Sequence, residues 1–312
     1  MSTTSPLIAT SSPLALTAEQ VEQFDRDGYL VLRNRIPADL LSRLQTASER
    51  WIADGHEQSA TAGDDPDYNF ATRPDGPLLF RVNYLHAKHE RASLELLGSP
   101  EVLEIARSLA GPNFVPTYES LVFKAAGDGA AIEWHQDAVH PRTHRIFNID
   151  VYLDASRKGA GALRVAPGSQ RGPVEICQLR DEYGWDAPGV IQVEMEPGDV
   201  LVHDVMVVHG SEPTLDNPLR RTVYLEFRAA EQIEAEGPWD AEWIERRLRL
   251  IPLALREWGD QHPGEHGFDW TVSERYAPAT SGDTQEELKV IHGVHNAGSY
   301  CSAGSVPLTP AP

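Results

Sequence analysis

The period of the hydrophobic pattern changes near residue 113, and this change constrains the fold more than any other feature of the sequence. Before it, apolar residues recur at helical spacing within 17–27, 38–55 and 100–110. After it, short segments alternate apolar and polar residues, with no helical pattern between them. Those segments are 115–124, 146–153, 161–166, 190–195, 200–203 and 222–228. Helices followed by closely spaced strands predict a mainly β fold with flanking helices, built as an antiparallel double-sheet barrel or jelly roll.

Local signals predict where the first two helices begin and end. Thr17 and Gln20 are spaced as a capping box, and Gly28 follows as a stop signal. The second helix is expected to begin after Pro37 and to end near Gly55.

The length of 312 residues suits one large domain with loose ends. We expect a disordered N-terminus, a lid made of a polar loop and a more apolar wall, a β core, a late helix interrupted by Pro252, and a loose tail. In chain order these parts are 1–16 (disordered), 17–276 (the domain), 56–77 and 78–84 (together the lid, 56–84), 113–230 (the core), 239–258 (the late helix) and 277–312 (the tail).

The charge and the cysteine content exclude several classes of partner. The formal net charge is −20, from 47 acidic and 27 basic side chains, which argues against binding to nucleic acid or to an anionic membrane. The two cysteines, Cys177 and Cys301, are too few for a disulfide framework and favour a reducing cytoplasm. No apolar stretch approaches the ~18 residues that a transmembrane helix needs. We therefore expect a cytoplasmic monomer or homodimer that acts on a small molecule.

An imidazole and a carboxylate stand two positions apart at His135 and Asp137. On an extended strand, residues i and i+2 project from the same face, so both side chains can bind one metal ion. The best third ligand is His209, on a later strand. Two histidines and one carboxylate on one face of a metal leave its other positions open, as in the facial triad of non-haem Fe(II) oxygenases.

Arg220 follows His209 and could face the same cavity from the start of the next strand. Its planar guanidinium suits a carboxylate, and a co-substrate such as 2-oxoglutarate would need one such anchor. The alternative is that Arg220 and Arg221 form a solvated pair at the start of a strand.

With these motifs, the chain resembles the phytanoyl-CoA dioxygenase family of Fe(II)/2-oxoglutarate oxygenases. The matching pieces stand in family order across about 17–230 and are jointly specific. They are Asp27 to Val31, Phe123-Lys124, Trp134 to Asp137, Asn148, Gly161 to Ser169, Gly198-Asp199, and His209 to Ser211 with Arg220.

The resemblance implies a double-stranded β-helix core of the jelly-roll, cupin-like type. It also implies that Fe(II) binds to the two histidines and the aspartate of the triad, and that 2-oxoglutarate chelates the iron with its far carboxylate on Arg220. O2 is then the oxidant. Co-substrate binding is assisted by Ser211, Lys124 and Asn148.

One position departs from the family pattern, because Asp150 stands where many relatives have tryptophan. Asn148, Asp150 and Tyr152 alternate with apolar residues, so the polar set faces one side of the strand. If that side is the cavity, Asp150 and Tyr152 contact the co-substrate or the substrate; the alternative is solvent. Arg81, in the wall of the lid, is a further candidate for substrate contact, and His203 is expected to pack or to touch a metal ligand.

These features favour a 2-oxoglutarate-dependent dioxygenase that hydroxylates an unactivated C–H bond of a small molecule. Asp137 supports hydroxylation, because related halogenases replace this carboxylate with a small residue. By analogy, we expect a tailoring enzyme of secondary metabolism. The alternatives are a non-oxidative cupin-like isomerase or hydrolase, an acyl-CoA hydroxylase, and a binding module with a vestigial site.

Overall fold

The computed structural model describes residues 12–59, 67–73, 76–125, 131–159, 161–214 and 219–279. The first helix, α1 (Ala18–Asp27), begins at the predicted capping box. The Thr17 side chain accepts a hydrogen bond from the Gln20 backbone, and the Gln20 side chain accepts one from the Thr17 backbone. Gly28 ends the helix in the left-handed conformation, with φ of 79°. The predicted first helix is confirmed.

Two β-sheets and a set of surrounding helices make up the described part of the chain. The further helices are α2 (Ala38–Ser59), α3 (Arg91–Gly98), α4 (Pro100–Ala110), α5 (Ile176–Tyr183), α6 (Ala230–Glu236), α7 (Ala241–Leu248) and α8 (Leu250–Gln261). The strands are β1 (Tyr29–Leu32), β2 (Tyr68–Arg73), β3 (Gly76–Asn83), β4 (Phe114–Ala125), β5 (Ile132–His135), β6 (Ile146–Tyr152), β7 (Leu163–Ala166), β8 (Ile191–Val193), β9 (Val200–Asp204), β10 (Val208–Ser211) and β11 (Leu219–Ala229). Within these residues, no helix is both long and apolar enough to cross a membrane.

The strand order confirms the predicted fold class. A seven-stranded sheet has the order β1-β9-β6-β11-β4-β3-β2, and a four-stranded sheet has the order β5-β10-β7-β8. The assigned pairings are antiparallel. Strands that are distant in sequence are neighbours in both sheets, which is the crossover pattern of a double-stranded β-helix.

Strand β6 has one face in the main hydrophobic core and one face between the sheets. Phe147 and Ile149 belong to the core cluster that includes residues of α2, α3, α4 and α8. Side chains alternate along a strand, so Asn148 and Asp150 point the other way. On that side, Tyr152 packs with residues of β7 in the small sheet. The predicted alternation thus directs the polar set towards the interior between the sheets.

The second helix extends beyond its predicted end. Helix α2 continues to Ser59 and contains Gly55. A Cβ atom at Gly55 would lie 2.6 Å from Leu79 Cδ2 and 2.9 Å from Tyr68 Cδ1, so this glycine lets the β2–β3 hairpin approach the helix. The predicted loop was wrong for the end of α2 and for β2. Its middle, most of the predicted N-terminal segment and most of the predicted tail lie outside the described residues.

Helix α5 lies between β7 and β8, where no helix was expected. Cys177 lies within this helix, whereas Cys301, the other cysteine, lies outside the described residues. The expected late helix is two helices, α7 and α8, which meet at Arg249. Pro252 explains the break, because its ring cannot coexist with a helical carbonyl four residues earlier.

Candidate metal centre

Two paired strands of the small sheet bring the predicted metal ligands together. His135, the last residue of β5, lies directly opposite His209 of β10. Asp137 follows two residues later, just beyond the strand. One ligand atom from each of the three side chains lies within 4.8 Å of the others. The structure therefore groups the three predicted residues in a geometry that suits one metal ion.

The two oxygens of Asp137 have different surroundings. Oδ1 lies 3.4 Å from His135 Nε2 and 3.9 Å from His209 Nε2, so it faces the point on which the ligands converge. Oδ2 lies 3.0 Å from Asn148 Nδ2 and 3.1 Å from His203 Nε2 on the other side. The side chain is 29% exposed, so the centre is open to a small molecule.

Backbone carbonyls orient both ligand imidazoles. His135 Nδ1 lies 2.7 Å from the Glu133 carbonyl, and His209 Nδ1 lies 2.9 Å from the Val207 carbonyl. If each Nδ1–H donates there, each Nε2 keeps a lone pair for a metal. Burial and the nearby His135 lower the pKa of His209 to about 3, so His209 is neutral at neutral pH, which is the form that binds metals.

His203 and Asp150 lie behind the centre, against Asp137. His203 Nδ1 is 2.8 Å from Asp150 Oδ2, and both side chains are almost fully buried. Although burial opposes it, the carboxylates of Asp150 and Asp137 raise the pKa of His203 to about 10. Asp150 is thus enclosed behind a metal ligand. It does not lie on an exposed cavity wall, as its expected contact with the co-substrate or the substrate would need.

Arg220 is fully buried between the sheets and is only partly hydrogen-bonded. Its Nη1 donates to the Gly161 carbonyl. Its Nε and Nη2 have no hydrogen-bond partner among the described residues. Buried polar groups nearly always have partners, and two N–H groups of one guanidinium match the two oxygens of a carboxylate. The residues present therefore fit a carboxylate ligand such as 2-oxoglutarate.

Lys124 and Ser211, both expected near the co-substrate, contact each other. The Lys124 ammonium donates to Ser211 Oγ at 2.7 Å and to the Glu212 carbonyl at 3.0 Å. Lys124 lies opposite Arg220 in the β4–β11 pair, so both occupy the same face of the sheet. Arg221 points to the other face and forms an ion pair with Asp154 at 2.8 Å. The alternative of a solvated arginine pair was therefore wrong.

Sequence reasoning missed three residues that share the inner face of β11 with Arg220. Tyr224 is half-buried, and its ring lies edge-on to His203 with 6.4 Å between centroids. Glu226 accepts a hydrogen bond from Arg228 at 2.8 Å, and both are buried. Alternation counted from Arg220 could have identified all three.

The predicted wall 78–84 divides between the main core and the interior between the sheets. Leu79 and Val82 pack in the main core, whereas Arg81 is half-buried. Arg81 is close enough to Tyr118 and Tyr224 to act on both phenols electrostatically. Arg81 lies opposite Val122 of β4, two residues from Lys124, so it projects from the same face of the large sheet as Arg220.

Comparisons with known proteins agree with this geometry. The sequence model of the family described as phytanoyl-CoA dioxygenase (PhyH) matches residues 24–222, which is more than half of the chain. A probable alpha-ketoglutarate-dependent hypophosphite dioxygenase of Stutzerimonas stutzeri is 26% identical over 231 residues, 69% of this chain and 79% of the relative. The ectoine dioxygenase of Sphingopyxis alaskensis is 27% identical over 273 residues, 77% of this chain and 86% of the relative.

A solved structure shows the same fold. It is EctD from S. alaskensis with 2-oxoglutarate and 5-hydroxyectoine, which superimposes with a TM-score of 0.57 at 26% identity. The match covers 69% of this chain and 77% of the other.

Proposed function

The chain belongs to the phytanoyl-CoA dioxygenase family of non-haem iron, 2-oxoglutarate-dependent dioxygenases, and from this membership we propose that it hydroxylates an unactivated C–H bond of a small molecule. When bound, Fe(II), 2-oxoglutarate and O2 supply the oxidising power. The reaction would convert 2-oxoglutarate into succinate and CO2 with uptake of one atom of O2, and it would insert the other atom into the substrate C–H bond as a hydroxyl group.

The partly unpartnered guanidinium of Arg220 is the observation that carries the proposal. A buried cation with two N–H groups free of partners in the described residues is costly unless a ligand completes its hydrogen bonds. Arg220 shares the interior with the metal centre, so it would hold the far carboxylate of 2-oxoglutarate. Lys124 and Ser211 add a positive charge and a hydroxyl group on the same side.

The triad would hold the iron through His135 Nε2, His209 Nε2 and Asp137 Oδ1. These three atoms would occupy one side of the metal and would leave the other side for the co-substrate and O2. The retained carboxylate of Asp137 favours transfer of a hydroxyl group, since a halide would need the position that it occupies.

A non-oxidative metal enzyme on the same barrel explains the triad but not Arg220. An isomerase or hydrolase needs the metal and a substrate site, whereas a dicarboxylate co-substrate also needs a buried anchor. The buried Nε and Nη2 of Arg220, which have no hydrogen-bond partner among the described residues, therefore favour the oxygenase.

We propose a tailoring role in secondary metabolism, with a hydrophilic substrate. The relatives described above are named for hypophosphite and for ectoine, both of which are small and polar. A half-buried polar group also lies near Asp137: the phenol of Tyr224, whose ring is edge-on to His203. The formal net charge of −20 also disfavours an acyl-CoA substrate, since the CoA group is itself polyanionic.

Absorption spectroscopy under argon tests the dioxygenase assignment. Protein with Fe(II) and 2-oxoglutarate should show the weak visible charge-transfer band of the chelate, and the same sample with succinate should not. Iron bound without this band in the presence of 2-oxoglutarate would contradict the proposal.

Succinate release then tests the substrate class. Small polar metabolites should stimulate release more than palmitoyl-CoA does. Stoichiometric hydroxylation of palmitoyl-CoA would overturn the hydrophilic assignment but not the reaction type.

A further inference from the structure

A chain of three buried polar side chains contacts Asp137 on the side away from the metal position. Asn148 Nδ2 lies 3.0 Å from Asp137 Oδ2, and His203 Nε2 lies 3.1 Å from the same oxygen. Asp150 Oδ2 lies 2.8 Å from the other nitrogen of His203. Asp150 and His203 are 0% and 1% exposed, so water does not compete for these contacts.

The strand register fixes the positions of these hydrogen-bonded side chains. Asn148 of β6 lies directly opposite His203 of β9 in the large sheet. Asp150 is two residues further along β6 and therefore projects from the same face. Asp137, by contrast, comes from the loop after β5 of the small sheet. The contacts therefore cross from one sheet to the other and fix a loop residue against two rigid strands.

A carboxylate can bind a metal through one oxygen or through both, and the second mode uses an additional coordination position. We propose that Asp150, acting through His203 and together with Asn148, is a positioning residue that holds Asp137 Oδ2 away from the metal and leaves Oδ1 as the single ligand atom. Asp150 accepts a hydrogen bond from His203 when Nδ1 carries the hydrogen, as in the Nδ1–H tautomer and in the imidazolium. Asn148 donates to Asp137 Oδ2 in both forms, and the imidazolium donates to the same oxygen from Nε2. This inference rests on the proposed iron site.

Binding of Fe(II) alone, under argon and without co-substrate, tests the inference apart from turnover. Replacing an outer hydrogen-bond partner of a metal ligand typically weakens metal binding about 10- to 100-fold. We expect this loss in Asp150→Ala, and a smaller loss in Asp150→Asn, whose amide oxygen still accepts from His203. Asp199→Asn is the matched control. Asp199 is a buried carboxylate next to the start of β9 and is bonded to Arg33 and to the backbone of Asn34. Its loss should lower thermal stability and leave the Fe(II) affinity unchanged.

A double variant separates positioning from general loss of packing. If Asp150 acts through His203, then Asp150→Ala should weaken Fe(II) binding little further in a His203→Phe background. Full additivity of the two losses would overturn the route through His203. Unchanged Fe(II) affinity in folded Asp150→Ala would overturn the proposal as a whole. If that variant does not fold, Asp150→Asn and His203→Phe give the same two readouts.

Different experimental results would reject the proposed 2-oxoglutarate function and the positioning role of Asp150. Absence of the charge-transfer band in wild-type protein that binds Fe(II) tightly would reject the 2-oxoglutarate function and leave the positioning inference intact. Tight Fe(II) binding by the Asp150 and His203 variants, with a normal band, would reject the positioning inference alone.

Discussion

Each of the three proposed metal ligands supplies one coordinating atom, so the loss of any one should leave the metal with only two protein ligands. His135→Ala, Asp137→Ala and His209→Ala are each expected to abolish turnover and to weaken Fe(II) binding. His144→Ala is the control, since His144 lies in the loop after β5 and contacts Thr143 rather than the triad. Fe(II) titration and succinate assays measure both effects. Near-wild-type activity with full iron occupancy in any triad variant would mean that the ligand set is wrong.

Arg220 and Arg221 are adjacent and both buried, yet they point to opposite faces of β11. Removing one partner of a buried charged hydrogen bond costs about 2–5 kcal/mol. Arg220→Ala should therefore raise the apparent KM for 2-oxoglutarate at least about 30-fold, with a much smaller effect on the KM for the prime substrate. Arg221→Ala should lower thermal stability, because Asp154 loses its partner, and should leave the KM for 2-oxoglutarate nearly unchanged. A larger effect on this KM from Arg221 would overturn the anchor assignment.

The ligand residues could be proposed from sequence because their geometry is largely local. His135 and Asp137 lie two positions apart, and His209 and Arg220 are separated by a single strand connection. The contact between His203 and Asp137 depends on the register of β6 with β9 and on the packing of one sheet over the other. No sequence spacing records either quantity, so the role of Asp150 could not be predicted.

At the scale of elements, glycine ends one helix and lies inside another. Gly28 ends α1 in a left-handed conformation, and the local capping signals predicted this end. Gly55 was interpreted as a stop for α2 by the same rule, yet it lies inside the helix under the β2–β3 hairpin. A glycine required by close tertiary approach has no distinct local signal. This explains why both ends of α1 were predicted correctly, whereas for α2 only the start was.

Gly98 shows close approach between two helices. A Cβ atom there would lie 2.2 Å from the Ala254 carbonyl oxygen of α8. Backbone cannot move aside as a flexible side chain can, so Gly98→Ala should separate α3 from α8 and destabilise the fold by about 1–3 kcal/mol. Gly259→Ala, in α8, is the matched control. A Cβ there meets nothing within 4 Å, and alanine should stabilise the helix by up to about 1 kcal/mol. Urea unfolding of both variants measures the difference, and equal midpoints would contradict the packing argument.

At the scale of the whole molecule, a buried ionic cluster joins the large sheet to the C-terminal helices. Glu119 of β4 accepts a hydrogen bond from Arg247 of α7 at 2.6 Å and also contacts His86, which follows β3. Arg247 also donates to the Pro116 carbonyl at 2.7 Å. All three charged or polar side chains are nearly fully buried. The cluster lies on the face of β4 opposite the metal centre, so it affects stability rather than chemistry.

This cluster predicts how stability depends on pH. Although burial opposes it, Arg247 and His86 hold the pKa of Glu119 at about 2, below the value of about 4.3 expected in the unfolded chain. A depressed carboxyl pKa contributes stability that is complete above the unfolded value and is lost as the pH falls through the folded one, here roughly 3 kcal/mol. Glu119→Gln should therefore be less stable than wild type by about that amount above pH 5. The gap should narrow as the pH falls from about 4 towards 2.

Urea unfolding between pH 3 and pH 7 measures this gap directly. Glu22→Gln, at an exposed position of α1, should change stability little at any pH, because exposed substitutions rarely exceed about 0.5 kcal/mol. A gap between wild type and Glu119→Gln that stays constant down to pH 3 would show that the charge of Glu119 does not stabilise the fold. The contribution of Glu119 would then come from its shape and neutral hydrogen bonds, which the glutamine retains in part.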